Sequence, residues 1–401
     1  MKLDFLKRDA PKSPLPPPAA PQRKAATGAA LAMAAAGGGG LGVARDSASL
    51  VRHGFAGNPV GFRSVKMIAE AAAALPLIVQ DSACRYETHP MGCLVARPNP
   101  AQGRAELLEA VYGQLLLTGN GYLEAAGGAM GVLPLELHAL RPDRMRVLPG
   151  SDGWPAAYEY RVGSKVRRFD MTAEVPPICH IRSFHPTDDH YGLAPMQAAA
   201  GAVEVHNAAS RWSKALLDNA ARPSGAITYH NSEGQGMMPG DLYERLVDEI
   251  TTNYMGARNA GRPMLLEGGL DWKPMGFSPS DMEFQKTKEA AAREIALAFG
   301  VPPMLLGIPG DATYANYQEA NRAFYRLTVL PLASRVVAQL SAFLGRFTGE
   351  TVEIQVDLDS VPALSAEREA QWRRVAAADF LTDDEKRAML GLPPRSVGEG
   401  G

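Results

Sequence analysis

Residues 277–331 read FSPSDMEFQKTKEAAAREIALAFGVPPMLLGIPGDATYANYQEANRAFYRLTVLP, and their punctuation predicts helix, loop, helix. Ser280 and Glu283 have the spacing of a capping box, in which the serine oxygen takes a helix N–H and the glutamate reaches back to the cap. A helix is therefore expected to start there. It is expected to stop near Gly300, which can take the left-handed conformation, because Val301-Pro302-Pro303 cannot continue it. The result is roughly 18 residues, or about 27 Å at 1.5 Å per residue. Ala290, Ala291, Ala292, Ala296 and Ala298 leave little bulk for an ordinary core and suit close helix approach. Glu289 and Arg293, four apart with the acid first, are expected to pair on a wet face, a contact of about 0.3 kcal/mol. The loop 307–312 carries glycine, proline and aspartate, each a turn former for its own reason, and is expected to be mobile. A second helix runs from about Thr313 through the 340s, kinked at Pro331, whose ring removes one backbone hydrogen bond.

Outward from this stretch, NPVGFRSVKMIAEAAAALPLIVQD from Asn58 predicts a helix with Val60, Val65, Ile68, Ala69 and Ala72 on one face, then a strand after Leu75-Pro76. HPMGCLVARPNP is a proline-bounded turn region. AELLEAVYGQLLLTGNGYLEAA predicts an amphipathic helix stopped at 118–121 and a strand from Tyr122. LELHALRPDRMRVLPG and YEYRVGSKVRRFD predict short strands, with Met145, Val147 and Tyr158, Tyr160, Val162 alternating. Arg141, Arg144, Arg146, Arg161, Lys165, Arg167 and Arg168 bias them basic, as exposed hairpin charge or as contacts to DNA or a partner.

An alanine-rich helix is expected from Pro195 to about Ala220. A small α/β unit follows: a strand 225–229, a helix 240–255 with Leu242, Leu246, Val247 and Ile250 on one face, and strands near 264–267 and 271–275. Near the C-terminus, 351–357 predicts a half-buried strand with Val352, Ile354 and Val356 inward. Ser365–Ala377 predicts a charged helix. Thr382 with Glu385 repeats the capping-box spacing before a last helix that ends at Gly391-Leu392-Pro393-Pro394.

The 401 residues are 46% hydrophobic with a formal charge of -2, which suits two or three compact units and gives no global basic signature for tight nucleic-acid binding. Cys84, Cys93 and Cys179 form neither a disulfide framework nor a paired CxxC metal site, as expected for a reducing cytoplasm. Residues 1–50, with their prolines and the run Gly37–Gly40, are expected to be a flexible tail. The alanine/glycine stretch within it is too weakly hydrophobic for a membrane span, and the start lacks the apolar region of a secretory signal. P-loops, nucleophile elbows, zinc motifs and dinucleotide fingerprints are absent from the sequence. His180, His185, Asp188, Asp189 and His190 are metal-ligand types, but their spacing matches no helix-borne metal motif. In the structural alternative, Asp188 or Asp189 and the Tyr191-Gly192 turn introduce the next helix.

The run 282–331 resembles the portal proteins of tailed bacteriophages, specifically the HK97-type family, which gene transfer agents also use. So do NPVGFRSVKMIAEAAAALPL from Asn58, RPNP from Arg97, LLLTGNGYLE from Leu115 and FHPTDDHYGLAP from Phe184. The resemblance runs from about residue 55 to about 395. It implies an α+β portal fold: a flexible tail (1–50), a mixed α/β wing (51–192), a stem helix (193–222), a small α/β clip (223–278), a second stem helix (279–300), a tunnel loop (301–316), a kinked inner helix with a wing strand (317–360) and a short helical crown (361–401). It further implies a non-enzymatic protein without cofactor or metal. Twelve or so copies would form a closed ring at one capsid vertex, through which double-stranded DNA passes, and a ring of this kind needs a head-to-tail interface whose rotation closes. The alanine-rich helices suit close packing of neighbouring copies around the tunnel.

By family position Lys286, Lys288, Ile308, Pro309, Gly310, Asp311, Ala312, Thr313 and Asn316 would line the DNA path, Pro331 would kink the inner helix, and Tyr243, Arg245, Asp248, Tyr254 and Arg258 of the clip would dock a head–tail adaptor and the large terminase subunit. The major capsid protein is a further expected partner, and a membrane is not. Near-neutral charge suits a conduit that passes DNA, since each phosphate contact repeated around a ring would add grip through counterion release. Two rivals are an enzyme built on the histidine–aspartate cluster, marked by stoichiometric metal, and an interaction scaffold that forms no ring, marked by particle size.

Overall fold

The structure, a computed structural model, describes residues 47–218, 225–229, 240–253, 270–274, 279–310 and 314–395. The expected tail lies outside these up to residue 46, and the expected strand 264–267 also falls outside them. Helix begins earlier than the predicted boundary at 50: α1, Ser47–Leu50, runs directly into a π-helical turn, Val51–Ala56.

Helix α2, Pro59–Ala73, starts as the sequence predicts, with Asn58 Oδ1 accepting from the N–H groups of Val60 and Gly61 and proline in the first turn. Val65, Ile68, Ala69 and Ala72 are buried and Val60 half-buried. Strand β1 is Leu77–Gln80 and β2 is Arg85–Tyr86. The presumed turn at 90–96 is instead helix α3, Pro90–Ala96, capped by the ring of His89; proline at the first helical position costs no hydrogen bond and so does not break it. Helix α4, Arg104–Thr118, buries Leu107, Leu108, Val111, Tyr112, Leu115 and Leu116 and packs on α2. Gly119 takes φ +75° at its end. Strand β3, Asn120–Ala126, begins two residues before the predicted Tyr122.

Strands β4 (Glu136–Leu140), β5 (Met145–Pro149), β6 (Pro155–Val162), β7 (Lys165–Asp170) and β8 (Ile178–Arg182) complete two antiparallel sheets, ordered β4-β3-β8 and β5-β6-β7. Tyr122, Leu140, Met145, Val147, Tyr158, Phe169 and Ile178 form a small core of their own. Val162 is exposed, so the predicted alternation stops short of the hairpin tip. Of the basic residues here, Arg141 pairs with Asp143 at 2.7 Å. Arg167 on β7 reaches the buried Glu124 on β3 at 2.6 Å and lies 4.6 Å over the Phe169 ring, tying one sheet to the other.

The first alanine-rich helix is broken at Ala199 into α5, Pro195–Ala198, and α6, Ala200–Asp218. Strand β9 (Gly225–Tyr229), helix α7 (Gly240–Asn253) and strand β10 (Leu270–Pro274) follow, with β9 and β10 paired antiparallel from Gly225–Pro274 to Tyr229–Leu270. Helix α8, Pro279–Phe299, begins at proline, which places Ser280 inside the helix rather than at its cap. It packs along α6 and against α2 and α5. Ala291, Ala292 and Ala296 are buried there. The close approach that these small residues permit is therefore realised within one chain.

Helix α9 (Tyr314–Phe324), a π turn (Tyr325–Val329) and α10 (Leu330–Thr348) make one continuous run. Residues 315–348 are long and apolar enough to cross a membrane, yet Val336, Val337, Leu340, Leu344 and Phe347 are buried in the main core with residues of α2 and α4. Strand β11, Glu353–Val356, pairs antiparallel with β1, Leu77 opposite Val356 and Gln80 opposite Glu353, giving a further three-stranded sheet ordered β11-β1-β2. Val352 and Ile354 are buried and Val356 half-buried. Helices α11 (Ser365–Ala376) and α12 (Asp383–Met389) close the chain, the latter with its predicted capping box formed, Thr382 N–H donating to Glu385 at 2.8 Å.

Glu124 is buried with Arg167 as its only charged partner among the described residues. Arg167→Ala is expected to cost roughly 1–3 kcal/mol in urea unfolding, because it strands a buried carboxylate, whereas the exposed neighbour Arg168→Ala is expected to stay within about 0.5 kcal/mol.

Candidate functional site

The junction between α8 and the α9–α10 run is built by hydrogen bonds that the local sequence only half specifies. Gly300 N–H donates to Leu297 O at 3.0 Å and Val301 N–H to Ala296 O at 2.9 Å, the paired bonds of a Schellman ending. Gly300 has φ +67°, and a Cβ there would stand 2.8 Å from Thr328 Oγ1. The same hydroxyl donates to Gly300 O at 2.6 Å, fastening the end of α8 to the π turn between α9 and α10. A 3₁₀ turn, Pro303–Leu306, then leads to Gly307 at φ +72°.

The expected Glu289–Arg293 pair does not form. Glu289 accepts from Gln285 at 2.9 Å, and Arg293 donates to the carbonyl oxygen of Pro309. Arg293 thus links Pro309 of the loop to α8. Ile308 is half-buried, while Pro309 and Gly310 are exposed; Asp311, Ala312 and Thr313 lie outside the described residues. Asn316 is exposed on α9 and engaged in an interaction of its own. The two lysines are not brought to this loop. Lys288 lies twelve residues before Gly300 along the helix, about 18 Å at 1.5 Å per residue, and its charge is felt by the buried His206 of α6, whose pKa is lowered by burial and then by Lys288. Lys286 is exposed a further half-turn back.

Pro331 sits in the first turn of α10, immediately after the π turn. Its ring would press on the carbonyl four residues earlier, at Leu327, and it has no N–H to give. Widening one turn to π geometry absorbs both misfits. The π turn thus lies directly before the proline at which the sequence leads one to expect a kink.

In the inserted unit, Tyr243, Arg245 and Asp248 are exposed on α7; Tyr254 and Arg258 lie outside the described residues. Val247, placed on the predicted apolar face, is exposed, and Leu246 is half-buried.

The histidine–aspartate phrase is a structural knot. Asn120 Oδ1 accepts from His180 Nε2 at 3.0 Å and from Gly192 N–H at 2.8 Å, while His180 Nδ1 faces Tyr158 OH at 3.0 Å. Since the amide oxygen can only accept, Nε2 carries the proton and Nδ1 takes that of the tyrosine. The imidazole stacks 4.2 Å from Tyr122. Asp188 Oδ1 accepts from the N–H groups of His190 and Tyr191 at 2.8 and 2.9 Å, shaping the turn before α5. Among the described residues no three histidine, cysteine or acidic side chains are grouped to hold a metal. The phrase closes on a glycine crossing: a Cβ on Gly119 would meet Gly192 O at 2.3 Å, and one on Gly192 would meet Gly119 O at 2.1 Å. Asn120 and Thr328 were not singled out from sequence for these bonds, and Arg293 only for a pair with Glu289; Asn120 lies between two glycines, whereas nothing local marks Arg293 or Thr328 for the carbonyls they reach.

Burial, followed by the charges of Arg182 and His190, pushes the pKa of His180 from 6.5 down to about 3. The folded state thus holds the neutral ring and the unfolded chain binds the extra proton. Stability is full above pH 6.5 and is lost progressively as pH falls toward 3. Thermal unfolding across this range is expected to show that loss, and His180→Gln is expected to be less stable at pH 7 but to show a flatter acid limb.

Residues 59–391 match the sequence model of the family described as phage portal protein. An uncharacterized protein of Rickettsia bellii is 36% identical over 371 residues, 89% of this chain and 93% of the relative. The portal protein of Enterobacteria phage HK97 is 25% identical over 358 residues, 84% of this chain and 79% of the relative. Among solved structures, a chain from the neck of a native GTA particle, computed with C12 symmetry, is 65% identical, with a TM-score of 0.73 over 91% of this chain and 99% of the neck chain. With sequence and fold agreeing over nearly the whole described length, the chain belongs to the phage portal protein family.

Proposed function

We propose that this portal protein assembles as a closed ring, of twelve copies by analogy with the solved neck, at one vertex of a gene transfer agent or tailed-phage capsid, and that double-stranded DNA enters and leaves through its centre. The observation that carries this proposal is the 65% identity to a neck subunit solved with C12 symmetry, over 99% of that subunit's length. In this assignment α6 and α8 are the stem, β9, α7 and β10 belong to the clip, and α9–α10 with the π turn form the inner helix. The segment 308–316, together with Lys286 and Lys288, faces the DNA path. The exposed Tyr243, Arg245 and Asp248, with Tyr254 and Arg258, offer the surface for a head–tail adaptor and the packaging motor. The major capsid protein holds the outer rim.

The part is mechanical rather than catalytic, and the energy of packaging comes from a separate ATPase. The junction supports a role in guiding DNA: the loop start is pinned by Arg293, and the stem end is pinned to the inner helix through Thr328 and Gly300. A loop presented from two fixed points can touch a passing duplex without being dragged along it.

Light scattering with electron microscopy of the purified protein is expected to show a ring with a central hole wide enough for duplex DNA; a purely monomeric protein inside intact particles would refute the assignment. Replacing residues 308–312 with a shorter linker is expected to leave ring assembly intact while lowering DNA content per particle. Unchanged DNA content would remove the loop from the DNA path without touching the ring.

A further inference from the structure

The joint between the start of α2 and the flank of α6 turns on one ring nitrogen. Asn58 is 1% exposed and His206 4% exposed, so neither polar group is left to water. The amide of Asn58 has a fixed direction: its Oδ1 accepts from Val60 N–H at 3.0 Å and from Gly61 N–H at 2.9 Å, which is the cap of α2. Its Nδ2 therefore offers protons, one to Asn207 Oδ1 at 2.9 Å and the other to His206 Nδ1 at 3.1 Å. A ring nitrogen that faces a donor has to accept, so Nδ1 is bare and the proton of the neutral ring sits on Nε2. Asn207 completes the tie by donating to His53 O at 2.9 Å on the π turn. The arrangement is consistent only with a neutral imidazole.

A proton on Nδ1 would set one N–H against another. Asn207 Oδ1 can accept the new proton, but the amide of Asn58 cannot reverse to meet it without releasing the cap of α2. The surrounding charges add to this conflict. From α8 the ring meets Lys288, and the neighbouring Glu289 is engaged by Gln285 at 2.9 Å. The π turn brings His53, whose ring is held by Ser49 at 3.0 Å. Residues 58–61 and helix α5, Pro195–Ala198, bring no charge, and neither do the positions one turn away on α6, Ala202, Val203, Ala209 and Ser210. We propose that this joint is a proton-operated latch: a proton at His206 Nδ1 parts the flank of α6 from the start of α2, and its loss closes the joint again. Burial first and Lys288 second lower the pKa of His206 from 6.5, while Asn207 raises it. The closed joint holds the neutral ring, so it is fully closed above pH 6.5 and opens as pH falls below that value. The latch belongs to a single subunit and is independent of ring assembly. In the assignment above α6 is a stem helix and α2 part of the wing, so the latch decides whether wing and stem move as one body.

The test is amide hydrogen exchange of the full chain, read by mass spectrometry from about pH 8 to about pH 5 and corrected for the intrinsic rate, with particle size followed by light scattering at each pH. Exchange at 58–61 and along 203–212 is expected to rise as pH falls, by up to about tenfold per pH unit, while 107–116 of α4 stays protected. His180, whose pKa lies at about 3, does not titrate in this window. His206→Gln, whose amide oxygen can accept from Asn58 without titrating, is expected to show a flat profile. Lys288→Gln is expected to move the rise to higher pH, because it removes a charge that opposes the proton. No rise in the unsubstituted chain, the same rise in His206→Gln, or an equal rise at 107–116 would overturn the proposal. None of these results bears on whether rings form, which the light scattering reads separately.

Discussion

The antiparallel pairing of Leu77–Gln80 with Glu353–Val356 is the constraint on which the rest of the chain depends. The whole chain between these strands must return to one sheet. Closing so long an excursion costs little more than closing a short one, because loop entropy grows only with the logarithm of length, but the closure still has to be held. It is held by several independent contacts: Gln80 to Gln355 at 3.1 Å, Asp357 N–H to Pro76 O at 2.9 Å, and Arg85 to Asp357 at 3.0 Å. From the helix side, Ser341 Oγ accepts from Ile354 N–H at 2.9 Å, occupying an outer-edge donor of β11 that no strand covers. The segment between the two strands can thus be long, because both of its ends are fixed to one sheet.

A second pinning works at smaller scale. Asn58 caps α2 through its oxygen and turns its amide to His206 at 3.1 Å and Asn207 at 2.9 Å, while Asn207 donates to His53 O. The start of α2, the flank of α6 and the π turn before them share one partly buried polar knot. Together with the Thr328–Gly300 bond, this braces α6 and α8 against the core helices and the π turns.

Much of this was legible in the sequence wherever the cause was local. Gly300 ends its helix because glycine followed by two prolines leaves no other course, and Thr382 with Glu385 closes its capping box because both partners lie within one turn. Elsewhere local signals misled. Ser280 looked like a cap, but Pro279 starts the helix equally well one residue earlier, and the prolines bounding 90–98 suggested a turn where Pro90 begins a helix. Arg293 had a suitable acid four residues away and chose a carbonyl sixteen residues on, which no periodicity encodes. The alanines of α8 announced a close helix contact truthfully, but small side chains say how near a partner comes, not whether it belongs to the same chain. The turn that Asp188 shapes was legible in the histidine–aspartate phrase, but the bonds of Asn120 to His180 and Gly192 were not.

The crossing of Gly119 and Gly192 carries a consequence for how this protein can change over time. Each glycine leaves room for the other's backbone, so neither position can gain a side chain first: a methyl at either one collides with the main chain opposite. Most tight contacts in a protein drift by paired exchange, a larger residue here balanced by a smaller one there, but glycine has nothing smaller to yield. At this point the chain has no neutral path to any other pair, and descendants that keep the loop must keep both.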